Sequence, residues 1–255
     1  MLIIDNNHKE TNKLGHVRRV VSLVPSLTET IASLGAKKML TGVTRFCKYP
    51  EGIGLEAAVI GGPKDFDIEK ITSLQPDVVV AVREENHKDR ILKLAEKLPV
   101  VLFDIVHEAD AFDMMRTLGK LLDKEKEAAY LVEDIKNGFA RIPEVSPKRR
   151  CLYLIWRKPW MAAGTQTFIN EMLNKCGFEN VAGGRYPEIT EADFHRAKFL
   201  LLSTEPFPFK EKHRQELEQK YPDKRVILVD GEIFSWYGSR MLKAGVYFGK
   251  LVESL

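Results

Sequence analysis

Residues 110–142 read DAFDMMRTLGKLLDKEKEAAYLVEDIKNGFARI. Phe112, Met115, Leu118, Leu122, Ala129, Val132, Ile135 and Phe139 recur near a helical period. No proline interrupts the stretch before Pro143, and Gly119 and Gly138 are its only glycines. The spacing predicts one long amphipathic helix. On either side, apolar runs of strand length alternate with helix-like segments. The expected fold class is α/β: two lobes with mostly parallel central sheets, residues 1–109 and 143–255, joined by a backbone helix over 110–142, with a ligand cleft between the lobes. A stiff helical joint admits a ligand without wide closure, which points to a binding protein.

The strand candidates are residues 20–24, 40–43, 78–82 and 100–103 in the first half, and 151–156, 199–203 and 226–229 in the second. All are continuous apolar runs, as in parallel strands covered on both faces. Helices are expected at 67–74, 88–97, 167–176, 210–220 and 239–254. Ser26-Leu27-Thr28-Glu29 fits a capping box. It opens a helix with Leu27, Ile31 and Leu34 on its buried side and Gly35 as its stop.

The chain has 255 residues, 44% hydrophobic and 29% charged, so there is material for two modest cores. Its 39 basic and 36 acidic residues are interspersed, which argues against a nucleic-acid stripe. Cys47, Cys151 and Cys176 are odd in number and lack CxxC spacing, so they indicate neither a disulfide framework nor a zinc site. Free thiols fit a reducing compartment slightly better. The apolar run of residues 2–4 is too short for a secretory signal, and no stretch reaches membrane-spanning length. A cytoplasmic location is therefore an expectation that stands beside the extracytoplasmic one considered below.

In an open α/β sheet, ligands sit beyond the carboxyl ends of the strands. That rule selects Pro25-Ser26 and residues 45–50, 83–87, 157–160, 205–209 and 232–237. The segments are rich in aromatics. Trp156, Trp160 and Trp236 fall at or just after strand ends, with Phe46, Tyr49, Phe207, Phe209, Phe234 and Tyr237. Such side chains offer stiff, partly apolar area to a bulky planar or chelated ligand, or else cap the sheet core. Arg45, Arg83, Arg157 and Arg240 are candidate partners for ligand carboxylates, or surface and ion-pair residues. Glu84, Glu85 and His87 read as metal ligands or as a solvated turn. Cys47 and Tyr49 are donors two residues apart, yet a metal site needs three or four convergent ligands, so enclosure of an already chelated metal is the stronger reading. The chain carries no GxGxxG after its first strand, no Walker loop and no GxSxG elbow. Ser26 reads as a cap rather than a nucleophile.

Arg19-Val20-Val21-Ser22-Leu23-Val24-Pro25-Ser26-Leu27-Thr28-Glu29 resembles the opening of class III periplasmic binding proteins, the helical-backbone receptors for vitamin B12, haem and ferric siderophores. The likeness continues through Gly42-Val43-Thr44, Tyr49-Pro50, Gly61-Gly62, Asp67-Ile68-Glu69-Lys70-Ile71 and Leu74-Gln75-Pro76-Asp77-Val78-Val79. In the second half it takes in Ala163-Gly164, Phe168-Ile169-Asn170 and Ser235-Trp236-Tyr237-Gly238-Ser239-Arg240. It covers nearly the whole chain, in order.

The resemblance implies non-catalytic capture of a ferric siderophore, cobalamin or haem-like chelate, no intrinsic cofactor, and delivery to an ABC permease by a monomeric receptor. Aromatic ligand positions of the vitamin B12 receptors correspond to Phe46 or Tyr49 and to Tyr186. Where those receptors carry further tryptophans, this chain has Pro63 and Val82. With the strand-end candidates, the expected ligand set is Arg45, Phe46, Tyr49, Arg83, Trp156, Trp160, Tyr186, Trp236 and Arg240. Docking on a permease through one acid per lobe is implied for Glu69 and for Glu191. Two other readings compete. One is an intracellular enzyme or chelate-handling protein using Glu84, Glu232 or His87 in the same cleft; the other is a partner-binding module whose cleft is filled by its own side chains.

Overall fold

The computed structural model describes residues 3–4 and 14–255; residues 1, 2 and 5–13 of the N-terminal stretch lie outside the described residues. The chain divides into two compact units, Met1–Asp134 with Tyr237–Arg240, and Ile135–Trp236 with Met241–Leu255.

The first unit contains β1 (Ile3–Ile4), β2 (Val20–Ser22), α1 (Pro25–Ile31), β3 (Leu40–Val43), α2 (Ile53–Glu56), β4 (Ala58–Val59), α3 (Ile68–Ser73), β5 (Val78–Val82), α4 (Lys88–Ala95), β6 (Val100–Phe103) and α5 (Glu108–Leu121). Its sheet runs β1-β6-β5-β2-β3-β4, and every pairing is parallel. The continuous apolar runs are explained by this: all of β2 and β5 is buried, so no alternation survives. From β2 the chain builds outward to β3 and β4, then returns to lay β5 and β6 on the other flank. The order reverses between β2 and β5, which is where α/β sheets open a ligand crevice.

The start of α1 differs from the expected cap. Pro25 occupies the first helical position after Val24, where its fixed φ and missing N–H are harmless. Ser26 is thereby drawn inside the helix, buried, with its carbonyl accepting from Thr30 Oγ1 at 2.8 Å. Gly35, at φ 79°, does break the helical run.

The second unit contains β7 (Arg149–Trp156), β8 (Met161–Ala163), α7 (Phe168–Lys175), β9 (Phe178–Asn180), α8 (Glu191–Arg196), β10 (Phe199–Ser203), α9 (Glu211–Lys220), β11 (Arg225–Val229), α10 (Gly231–Ser235) and α11 (Met241–Glu253). Its sheet runs β11-β10-β7-β8, with β9 also on β7. All pairings are parallel except that of β8. Tyr153 of β7 is fully buried and satisfies its hydroxyl on Ser203 Oγ of β10 at 3.0 Å. Cys151 and Cys176 are buried free thiols, and burial pushes both well above the ordinary thiol range.

The stretch 110–142 is helical but in two pieces, α5 and then α6 (Glu125–Phe139). Asp123 adopts a left-handed φ of 54°, and Lys124 N–H returns to Gly119 C=O at 2.7 Å. Together these form a Schellman stop. Gly119 makes room for it, since a Cβ there would lie 2.6 Å from that of Ala128. The apolar stripe slips by one residue across the break: Ala128 is buried and Ala129 exposed.

Asp123→Gly tests the break. It is expected to hold or raise the melting temperature, because glycine avoids the Cβ clash of about 1–2 kcal/mol in the left-handed region. In an unbroken helix the same change costs about 1 kcal/mol, and a lower melting temperature would mean that the helix runs through.

Candidate functional site

In the first unit the loop after β3 is tied down before it presents anything. Arg45 N–H donates to Gly61 C=O at 2.8 Å, and its guanidinium donates to both oxygens of Asp65 at 2.8 and 3.1 Å. That hydrogen bond holds the Asp65 carboxyl below its usual range. The guanidinium also lies 5.0 Å from the Phe46 ring centre. Cys47 Sγ is 3.2 Å from Thr28 Oγ1 and 3.3 Å from Thr44 Oγ1.

Tyr49 stacks on Arg240 at 4.3 Å. Arg240 is nearly buried and donates from Nε to Glu29 at 3.0 Å. The segment that carries it is locked to α1 by Ser239 N–H donating to Thr30 Oγ1 at 3.1 Å. Gly238, at φ 89°, lies so close to Thr30 that no Cβ fits. Arg83, just beyond β5, pairs with Asp104 beyond β6 at 2.6 Å. The structure thus brings together Arg45 with Phe46 and Tyr49 with Arg240, while Arg83 is engaged by its own acid.

In the second unit, Trp156 ends β7 at 42% exposure and meets Phe207 edge-on at 5.6 Å. From there rings run inward: Phe207 to Phe209 at 4.7 Å, Phe209 to Trp160 at 5.9 Å, Trp160 to Phe194 at 5.8 Å and Phe194 to Tyr221 at 5.0 Å. Trp160 is partly buried and packs one side of its indole against the core cluster of this unit. Arg157 lies over it at 5.4 Å and forks onto Glu216 at 2.9 and 3.0 Å. Trp236 Nε1 donates to Glu205 at 3.1 Å, and Ser235 Oγ donates to the same oxygen at 3.0 Å. Tyr186 is 38% exposed, on a segment bonded along β8 through Arg185 and Pro187 carbonyls.

Both docking candidates sit in the first turn of a helix and both have a lysine. Glu69 is paired with Lys97 at 2.5 Å. Glu191 accepts from Lys220 at 3.1 Å and from Tyr221 hydroxyl at 2.7 Å, the latter being the main reason its carboxyl titrates below the usual range. Among the described residues, no group of three or more His, Cys, Asp or Glu is placed to hold a metal ion.

A family model for periplasmic binding proteins matches residues 20–195. The chain belongs to the periplasmic binding protein family. The resemblance to its class III members, drawn above from short motifs, holds. Among relatives, the vitamin B12-binding protein of Vibrio parahaemolyticus is 25% identical over 181 residues, 68% of this chain and 66% of that protein. The match thus spans just under two thirds of that relative's length. Among solved structures, a possible iron-binding (periplasmic solute-binding) protein of Staphylococcus epidermidis superposes with a TM-score of 0.77 at 21% identity, covering 93% of this chain and 98% of its own. The periplasmic heme-binding protein RhuT of Roseiflexus sp. RS-1 gives 0.76 at 18% identity, covering 92% and 99%. Likeness at that identity shows a shared fold.

The sequence reading does not find the acids that hold the candidate side chains: Asp65 on Arg45, Asp104 on Arg83, Glu216 on Arg157, Glu29 on Arg240 and Glu205 on Trp236. Glu29 had been assigned to the cap of α1; Glu205 had no signal beyond its place after β10.

The two tryptophans of β7 and its loop are expected to separate cleanly in denaturant melts. Trp160→Ala should lose about 2–3 kcal/mol, because its partly buried indole packs on the core, whereas Trp156→Ala should lose less than about 1 kcal/mol as an exposed one. Equal losses would remove the distinction. His213 supplies a pH test. Its Nδ1 accepts from Lys210 N–H at 3.0 Å, and burial, aided by the Arg157 cation, holds it below its ordinary 6.5. The neutral ring favours the folded state above that value, and this advantage is lost as pH falls through and below it. Between about pH 7.5 and about pH 5.5 the wild type should lose more stability than His213→Gln; parallel curves would exclude the effect.

Proposed function

We propose that this protein binds a metal chelate or corrinoid, chemically unchanged, on the strand-end aromatics of its units and delivers it to an ABC-type importer. Phe46, Tyr49, Trp156, Tyr186 and Trp236 provide the apolar contact. Glu69 and Glu191 serve as the docking acids, with their lysines giving way to cations of the permease. Delivery of this kind implies loading outside the cytoplasmic membrane. Among the described residues no helix is long and apolar enough to cross a membrane.

One observation carries this reading. Phe46, Tyr49, Trp156 and Tyr186 remain 38–50% exposed, and three of the four stand at or just after strand ends, where α/β sheets take ligands. Covering the part of one such side chain that is still exposed is worth about 1 kcal/mol. Family membership and the names of the relatives support the ligand class.

The test is a titration with cyanocobalamin, haemin and ferric siderophores, following tryptophan fluorescence with absorbance correction and a non-tryptophan control protein. Saturable quenching by one of them is expected. Tyr49→Ala and Trp156→Ala should each raise the dissociation constant about 10-fold or more, corresponding to about 1.4 kcal/mol. No saturable response to any probe would overturn the reading, and unchanged affinity in both variants would overturn the assignment of the aromatics.

A further inference from the structure

Within the first unit, the loops that follow β3, β4 and β5 are fastened to one another. The middle loop spans residues 60–66. Its Ile60 carbonyl accepts from Asp67 N–H at 2.8 Å, its Gly61 carbonyl from Arg45 N–H at 2.8 Å and its Gly62 carbonyl from Asp65 N–H at 3.3 Å. The Pro63 carbonyl is taken by a side chain instead: Asn86 Nδ2 donates to it at 2.8 Å, across 23 residues of sequence. The other branch of the same amide is committed as well. Asn86 Oδ1 accepts from Val82 N–H at 2.9 Å, and Asn86 N–H donates to Val82 C=O at 3.0 Å. Asn86 is only 5% exposed, so it offers nothing to a ligand directly.

A short side chain that accepts on one branch and donates on the other is what asparagine supplies. An aspartate would still cap Val82 N–H but would set an oxygen against the Pro63 carbonyl; an alanine does neither. The middle loop in turn anchors Arg45, through Gly61 C=O on its amide and Asp65 on its guanidinium, and Phe46 rests beside that guanidinium. The Arg45–Asp65 pair is exposed, and such pairs fix little by themselves. Buried hydrogen bonds are costly to leave unmade. The loop is therefore set from within, by Asn86 at Pro63 and by Arg90 of α4 donating to Phe66 C=O, and its position is passed outward.

Resting on the function proposed above, we infer that Asn86 is a positioning residue for ligand binding. Through Pro63 it seats the middle loop, and through Gly61, Asp65 and Arg45 it holds Phe46 where a ligand meets it. Ordering Phe46 in advance lowers the cost of ordering it on binding.

Cys47, next to Phe46, is partly buried, whereas Cys151 and Cys176 are buried. Iodoacetamide labelling of the whole folded chain, read by peptide mass, thus reports on the loop after β3 without any ligand. Asn86→Asp and Asn86→Ala should each label Cys47 about 10-fold faster than the wild type, with Cys151 and Cys176 unlabelled. Asn86→Asp is the decisive variant, because it keeps the cap on Val82 and removes only the donor to Pro63. Asp65→Ala breaks the same relay at an exposed position. It should speed labelling similarly and leave Asn86→Asp less than about 2-fold to add. Affinity is then measured with cyanocobalamin, haemin and ferrioxamine B. For a probe the wild type binds, Asn86→Asp should raise the dissociation constant about 10-fold in the wild-type background and less than about 2-fold in Phe46→Ala. Thermal melts check that each variant is folded.

Labelling of Cys47 at the wild-type rate in folded Asn86→Asp would overturn the inference and leave the chelate-binding function intact. If that variant does not fold, the same result in Asp65→Ala overturns it. Labelling of all three cysteines together would also overturn it, since that marks loss of the fold rather than of the loop's seat. Losses that multiply in the Phe46→Ala background would exclude action through Phe46. Failure of the wild type to bind any of the probes would overturn the proposed function and the binding role of Asn86 with it, while the labelling rates would still decide whether Asn86 seats the loop.

Discussion

A parallel strand has to be re-entered from the end at which its neighbour began, so each connection carries the chain back across a face of the sheet. This requirement, fixed by hydrogen-bond direction, organises the first unit. Its five parallel pairings oblige the segments after β2, β3 and β5 to emerge at one edge. Arg45, Phe46, Cys47, Tyr49 and Arg83 follow strand ends at that edge because of this rule rather than because of any motif. In the second unit the same rule governs β7, β10 and β11, and collects Trp156, Phe207 and Glu205. The antiparallel β8 lies outside the rule, and the segment bearing Tyr186 is bonded along it.

Packing and binding compete for the same residue types. An indole placed after a strand can lie over the sheet core or face outward, and composition does not separate the outcomes. Trp160 followed the first course because Phe194 and Phe209 supply flat and edge-on partners for it. Trp156, four residues earlier, has Phe207 on one side and remains largely open. The guanidinium groups behave alike: a fork that suits a ligand carboxylate suits an internal one equally well.

The buried strands were legible because full burial writes itself as unbroken runs such as Val78–Val82. Helix ends at Asp67 and Thr167 were legible because the caps are made by the side chains themselves. The interruption at Asp123 was not, since the apolar residues resume after a slip of one position and a period of 3.6 absorbs so small a shift. The cap at Ser26 was misread because a motif of four residues weighs less than a proline that has already fixed the first turn. Ion-pair partners were out of reach in principle. Arg45 and Asp65 are 20 residues apart, Arg157 and Glu216 59, and Arg240 and Glu29 211. Separation of that order carries no local signature. Short strands such as β4, β8 and β9 lack the length for a pattern.

The excursion of Tyr237–Arg240 into the first unit bears on how the protein is made. A chain emerging from the ribosome ordinarily completes its N-terminal portion first. Here the first unit stays unfinished through the synthesis of nearly the entire second one. Glu29 has no Arg240, Thr30 no Ser239 amide, and Tyr49 no cation beneath it until those four residues appear. The final stitch of the first unit therefore comes only after most of the second unit has been synthesised. A nascent chain stalled before residue 237 would present that half with its seam open, a state for a chaperone to recognise and for a protease to cut.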